Sequence, residues 1–326
     1  MKNGSFVISL DFELMWGVLD KYSIGQYGQN IINVKIVVPE LLKIFNEYNI
    51  NSTFSIVGFL FFKDIDELKS NIPKKTPNYR NNKLSTYNII KQNSDFVISE
   101  YYFAPDLINK IKEYSNHEIG THTFSHYYCL EEGQSISEFE SDILQAIEIA
   151  RKNDIKIKSI VFPRNQTNLN YLNICKNVGI ICYRGNEKSW LYEAKKDQEN
   201  NLLHRTLRFL DTYINITGHN CHKIQINNNE LPINIPSSRY LRPYMSRLKY
   251  LDFLKLKRIK NDMTYAAKNN LTYHLWWHPH NFGKNIDENI FFLRKILNHY
   301  RILEKEYHFK SYTMSNLSEI KQNGQL

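Results

Sequence analysis

Short apolar runs alternate with amphipathic stretches along most of this chain, and that alternation limits its architecture more than any other feature. The run "SFVISLDFE" (5–13) reads as a buried strand closed by acids. In "VVPELLKIFNEYNI" (37–50), Val38, Leu41, Leu42, Phe45 and Tyr48 recur at helical spacing, and Pro39 suits the first turn of a helix. The stretch "STFSIVGFLF" (52–61) is a second strand. Residues 63–104 are polar and irregular, after which the pattern resumes. Strands are expected at "HEIGTHTF", "IKSIVFPRN", "GIICYRGNE" and "LTYHLWWHPH". Between them lie helices, one with a capping box read from Ser137 and Glu140 and an inner stripe of Ile143, Leu144, Ile147 and Ala150. A long helix over Asp287–Glu306 follows the last of these strands. Strands that alternate with helices pair in parallel through βα units. No G-x-G-x-x-G follows the first strand and no P-loop is present, which disfavours a Rossmann or nucleotide-hydrolase fold. The expected fold is an α/β irregular (β/α) barrel of about seven parallel strands. It spans 1–326 as one domain, with 63–104 and 190–250 as insertions over the C-terminal face.

Composition narrows the class. Apolar residues make up 42% of the 326, enough for a packed core, so global disorder is excluded. Lys and Arg exceed Asp and Glu by 42 to 33, but no dense basic block or nucleic-acid motif accompanies the excess, and no nucleic-acid partner is expected. Asn, Ile and Lys are abundant throughout, as an AT-rich coding sequence would produce. The N-terminus lacks a secretory pattern, and the longest uncharged apolar stretch, "SIVGFLFF", is too short to span a bilayer. Four cysteines without C-x-x-C spacing suggest neither a zinc-thiolate site nor a disulfide framework. A reduced, cytoplasmic protein is expected.

Each expected strand ends in a polar cluster: Asp11 with Glu13, His122 with His126, Arg164 with Asn165, Arg184 with Glu187, and His278 with His280. In a parallel barrel those ends converge on the face where catalysis occurs. Two imidazoles four residues apart can share a metal ion, although an isolated H-x-x-x-H is more often structural. Asp11 and Glu13 can be solvated acids, or one can complete a metal site while the other serves as a general base. Arg164 can be a surface residue or can hold such a base ionised. His278 sits among aromatics that suit core packing, yet imidazole also suits a general acid. Trp16, Trp190, Trp276 and Trp277 are core residues or sugar-stacking platforms. Arg239, Arg242 and Arg247 form either a solvated basic face or a grip for a diphosphate.

Taken together, "SLDFEL", "HTFSH", "FPRN" and "WWHPH" resemble, in order, the motifs of the polysaccharide deacetylase family (carbohydrate esterase family four, the chitooligosaccharide deacetylase group). The resemblance implies Asp11 as base, Glu13, His122 and His126 as metal ligands, Arg164 as the residue that orients Asp11, and His278 as acid, with His280 as its rival for that role. Asn165, Arg184, Glu187, Trp190 and His280 are expected to contact substrate. Three departures stand out: Glu13 replaces the usual Asp, Phe12 separates the two acids, and Pro precedes Arg in the third motif. The stretches "LDFELMWG", "HTFSHYYCLEEGQ", "VFPRNQ", "YRGNE" and "HLWWHPHNFG" further resemble a subgroup found with bacterial surface-glycan biosynthesis genes. Some relatives of that kind remove N-formyl groups, as in the lipid A aminoarabinose pathway.

The resemblance implies a divalent metal, with Zn2+ the best match to a Glu/His/His set. It implies removal of an N-formyl or N-acetyl group from an amino sugar in O-antigen or capsule biosynthesis. The substrate is expected on a nucleotide or lipid-linked carrier, with peripheral membrane contact compatible with that carrier. An O-acetyl sugar esterase and a non-catalytic carbohydrate-binding protein on the same fold are the rival readings.

Overall fold

A computed structural model of the chain describes residues 3–92, 97–193, 202–225 and 232–322. Among these residues there are nine strands, β1 (Ser5–Phe12), β2 (Ser52–Ile56), β3 (His117–Thr121), β4 (Ser159–Val161), β5 (Cys182–Arg184), β6 (Ile233–Asn234), β7 (Arg239–Tyr240), β8 (Thr272–Trp277) and β9 (Lys310–Tyr312). Every ladder between them is parallel, in the order β6-β5-β4-β3-β2-β1-β8-β7, and β9 pairs with the start of β1. This is the expected parallel (β/α) barrel architecture, with all the C-terminal strand ends on one side.

The two shortest strands lie on a single stretch of chain. Residues 233–241 bond first to β5, through Ile235 N to Tyr183 O at 2.9 Å, and then to β8, through Ser238 N to His274 O and Leu241 N to Trp276 O, both at 2.8 Å. This seam lies within the stretch read from sequence as an insertion. Its residues carry no long apolar run, so no strand signal marks it.

Alternation along β1 grades the interior of the barrel. Phe6, Ile8 and Leu10 face the main core, while Val7 belongs to a second cluster with Val161, Cys182, Ile233, Ile235, Met314 and Leu317. With a side-chain period of two, Val7, Ser9 and Asp11 share one face of β1, and Cys182 and Arg184 share one face of β5. Apolar residues therefore fill the N-terminal end, and charge accumulates at the C-terminal mouth.

Three local expectations shift. The helix begins at Val34, so Pro39 lies inside it; the carbonyl that Pro39 leaves unpaired is that of Lys35, an exposed residue. The capping box falls on Ser135 and Glu138, whose Oε2 accepts from Ser135 N at 2.7 Å, and opens the helix Ile136–Lys152. The buried stripe of that helix includes Phe139, Ile143, Ala146 and Ala150, whereas Leu144 is exposed. The long helix runs Ile286–Tyr307. Among the described residues, no helix is long and apolar enough to cross a membrane.

Candidate active site

Glu13, just past β1, meets two histidines from the loop after β3. Its Oε2 lies 3.3 Å from His122 Nε2 and 3.0 Å from His126 Nε2. All three residues are buried, and one ligand atom from each lies within 4.8 Å of the others. The carbonyl of Val161 accepts from His122 Nδ1 at 2.8 Å, which leaves the Nε2 lone pair aimed at the cluster. His126 Nδ1 lies 3.1 Å from the Tyr128 hydroxyl. Two imidazole nitrogens and one carboxylate oxygen suit a divalent metal with open positions. Glu13 therefore reaches the histidines despite being longer than Asp. Burial pushes its carboxyl up, but His278, His122 and His126 more than offset this and hold it well below the usual range.

The loop that carries the histidines is strained. Thr123 and His126 have φ of 65° and 60°, the left-handed region that a β-branched residue rarely enters. Asp142, buried in the helix Ile136–Lys152, fixes the loop. Its carboxylate accepts from Phe124 N at 2.7 Å, Ser125 N at 3.1 Å and Ser125 Oγ. Burial raises the Asp142 carboxyl to about 6. Sequence reading missed this residue, since one acid on an otherwise mixed helix carries no signal.

Asp11 is gripped by Arg184. Arg184 Nη1 donates to Asp11 Oδ1 and Nη2 to Oδ2, both at 2.7 Å. The same guanidinium donates to Ser9 Oγ at 2.9 Å and Asn165 Oδ1 at 2.8 Å, and stacks 4.1 Å from the Trp276 ring. Ser9 Oγ in turn lies 2.9 Å from His274 Nε2. Burial would raise the Asp11 carboxyl, but Arg184, aided by His122 and His278, holds it below the ordinary value.

Two expectations are corrected here. The guanidinium on Asp11 is that of Arg184; Arg164 forms an ion pair with Asp20 and lies 4.4 Å over the Tyr128 ring. Arg164 occupies a 3₁₀ turn after β4 with φ 54°, whereas Arg184 shares the interior face of β5 and so points at Asp11. Arg184, expected to contact substrate, is 0% exposed and has no open face for it.

His278, directly after β8, keeps 22% of its side chain exposed, and its Nε2 lies 3.5 Å from Glu13 Oε1 and 3.8 Å from Asp11 Oδ2. Its Nδ1 faces Asn281 Oδ1 at 3.1 Å. His280 stacks on it with ring centroids 5.0 Å apart, but is buried, and burial pushes its pKa down to about 3. His280 therefore stays neutral near pH 7, and His278 is the imidazole open to a ligand.

A cavity of about 360 Å3 opens over these groups, lined by Asp11, Glu13, Tyr27, His126, Trp276 and His278 among others. Asn165 borders it, and also borders a second cavity that Glu187 lines. Trp190 lines neither; it is 58% exposed and packs edge-on to His204. Trp16 and Trp277 are core residues, so Trp276 is the tryptophan at the site.

Comparison with known proteins bears on the fold. No curated protein matches the chain. Three solved structures share the fold. A protein from Mycobacterium smegmatis assigned as a polysaccharide deacetylase superposes with a TM-score of 0.61 at 12% identity, over 99% of this chain and 92% of that one. One from Pseudomonas aeruginosa PAO1, assigned likewise, gives 0.55 at 10% identity, over 96% and 89%. The Puue allantoinase gives 0.53 at 11% identity, over 98% and 90%, so the likeness is one of fold. The family model described as "Polysaccharide deacetylase" matches residues 27–182. That segment carries His122 and His126, and over it the chain is similar to the polysaccharide deacetylase family.

Proposed function

We propose that the chain hydrolyses an N-acyl amino sugar, removing an N-formyl or N-acetyl group during surface-polysaccharide assembly. The observation that carries this reading is the Asp11 carboxylate, gripped by Arg184 beside the Glu13/His122/His126 cluster and 3.8 Å from His278. Glu13, His122 and His126 would hold one divalent ion, with Zn2+ the best match to the donor set, and such an ion acidifies water and polarises a carbonyl.

The chain's own groups account for the proton movements. Asp11, kept ionised by Arg184, accepts the proton of the attacking water. His278 delivers a proton from Nε2 to the departing amine, and its Nδ1 is steadied by Asn281. Trp276 and Tyr240 give the cavity an aromatic wall on which a sugar face can rest.

The test is Asp11→Asn. The variant should retain its metal by elemental analysis and release no amine from N-formyl or N-acetyl amino sugars that the parent protein turns over. Full turnover by the variant removes Asp11 as the base.

A further inference from the structure

The second cavity, of about 300 Å3, adjoins the first and shares with it Lys21, Arg164, Asn165, Tyr240, Trp276 and His278. Four arginines line it. Two are neutralised: Arg164 pairs with Asp20, and Arg239 lies 3.5 Å from Asp211 and 3.0 Å from Asp262. Arg208 and Arg242 differ. Arg208 Nε donates to the Leu191 carbonyl at 2.7 Å, and Arg242 Nε donates to Thr212 Oγ1 at 2.8 Å. Among the described residues neither has a carboxylate partner, and neither terminal fork has a protein acceptor. Aromatic rings orient them: Tyr192 lies 5.7 Å from the Arg208 guanidinium, and Phe209 and Tyr240 lie 5.4 and 5.7 Å from that of Arg242.

A half-buried guanidinium without a paired carboxylate is only partly compensated for its desolvation. Burial lowers the pKa of Arg208 although Tyr192 and Glu187 oppose it, and the Arg242 charge adds to the lowering. Two such forks lining one cavity, each anchored at Nε, match the oxygens of a phosphoryl group. Glu187, buried on the same wall and lacking a side-chain partner among the described residues, adds an acceptor for sugar hydroxyls. Of the arginines singled out in the sequence, Arg239 is locked in its ion pairs and Arg247 is exposed; Arg208 joins Arg242 only through the fold.

We infer that Arg208 and Arg242 form a phosphate subsite, so that the amino sugar enters the catalytic cavity while its phosphoryl linkage rests on these two side chains. The inference rests on the deacylase reading for the identity of the sugar, but the subsite is testable without turnover. A nucleoside diphosphate and a lipid-linked phosphate present the same chemistry to the forks.

The test is calorimetric binding of UDP and of farnesyl phosphate to the full-length metal-loaded protein, to Asp11→Asn and to Arg208→Gln/Arg242→Gln. One of the two probes should bind the parent protein and Asp11→Asn alike. The double glutamine variant should lose about tenfold or more in affinity, as expected when charge-assisted hydrogen bonds are removed. The probe that binds identifies the carrier. Arg208→Lys/Arg242→Lys, which keeps charge but not the fork, should fall between, and its melting curve guards against misfolding. Binding by neither probe, or binding that survives the double glutamine change, overturns the subsite. If the probe binds as expected while no amine is released from any N-acyl sugar, the deacylase reading fails and the phosphate subsite stands.

Discussion

Replacing Arg184 by Met should destabilise the chain strongly and in a pH-dependent way. Arg184 is 0% exposed and makes four hydrogen bonds, two of them to a carboxylate that is itself 3% exposed. Removing one partner of a buried pair leaves an uncompensated charge and costs about 3–5 kcal/mol. That is a large share of a net stability of about 5–15 kcal/mol. In the parent, Asp11 has a depressed folded pKa, so its contribution is present above the unfolded value of about 3.9 and fades as pH falls through the folded value. Without Arg184 the raising effect of burial prevails. The variant's deficit should therefore be largest near pH 7 and shrink as pH falls toward about 4, as Asp11 becomes protonated in the folded variant. Asp11→Asn/Arg184→Met should recover most of the loss, since no charge is left stranded. Urea unfolding of the metal-free proteins at several pH values measures all three. A single-variant loss under about 1 kcal/mol, or a loss independent of pH between 4 and 8, refutes the view that this pair is buried and mutually dependent.

Two further outcomes follow from the site. A Cβ built on Gly17 falls 1.9 Å from Glu13 Cδ and 2.1 Å from its Oε1, so Gly17→Ala should turn the Glu13 carboxylate away from the histidines. Metal affinity, followed by competition with a chelator, should drop about 10–100-fold while the melting temperature of the apo protein changes little; unchanged affinity contradicts Glu13 as a ligand. His278→Gln should lower kcat about 10²–10⁴-fold with KM nearly constant, measured by amine release. An equal loss in His280→Gln with His278→Gln left active would transfer the acid role to His280.

How far the sequence reveals this protein depends on where its signals sit. The strands β1, β2, β3 and β8 are legible because each is an apolar run closed by polar residues, and the Glu13/His122/His126 cluster is legible because HTFSH and LDFE close two of them. The seam at 233–241 is not, because its two short strands draw their hydrogen bonds from neighbours rather than from any pattern of their own. The exchange between Arg164 and Arg184 has a similar cause. Both follow strand-like runs, and only the face each residue occupies decides which one reaches Asp11; the interior face of β5 is fixed by Cys182 two residues before Arg184. Asp142 is illegible for a third reason. It acts on backbone amides of a loop 17 and 18 residues away, and backbone geometry leaves no mark on residue spacing.

The seam has a consequence for how the molecule breathes. Local opening follows the route that breaks the fewest ladder bonds, and β6 and β7 are two residues each, against eight in β1. Within the sheet, amide exchange should therefore begin at 233–241, while β1 and β3, which deliver Glu13 and the two histidines, and β2 between them hold their protons longest. Arg239 and Tyr240 belong to both the seam and the second cavity. Exchange in that order would mean that the wall of the second cavity yields before the strands that carry Asp11, Glu13 and the histidines.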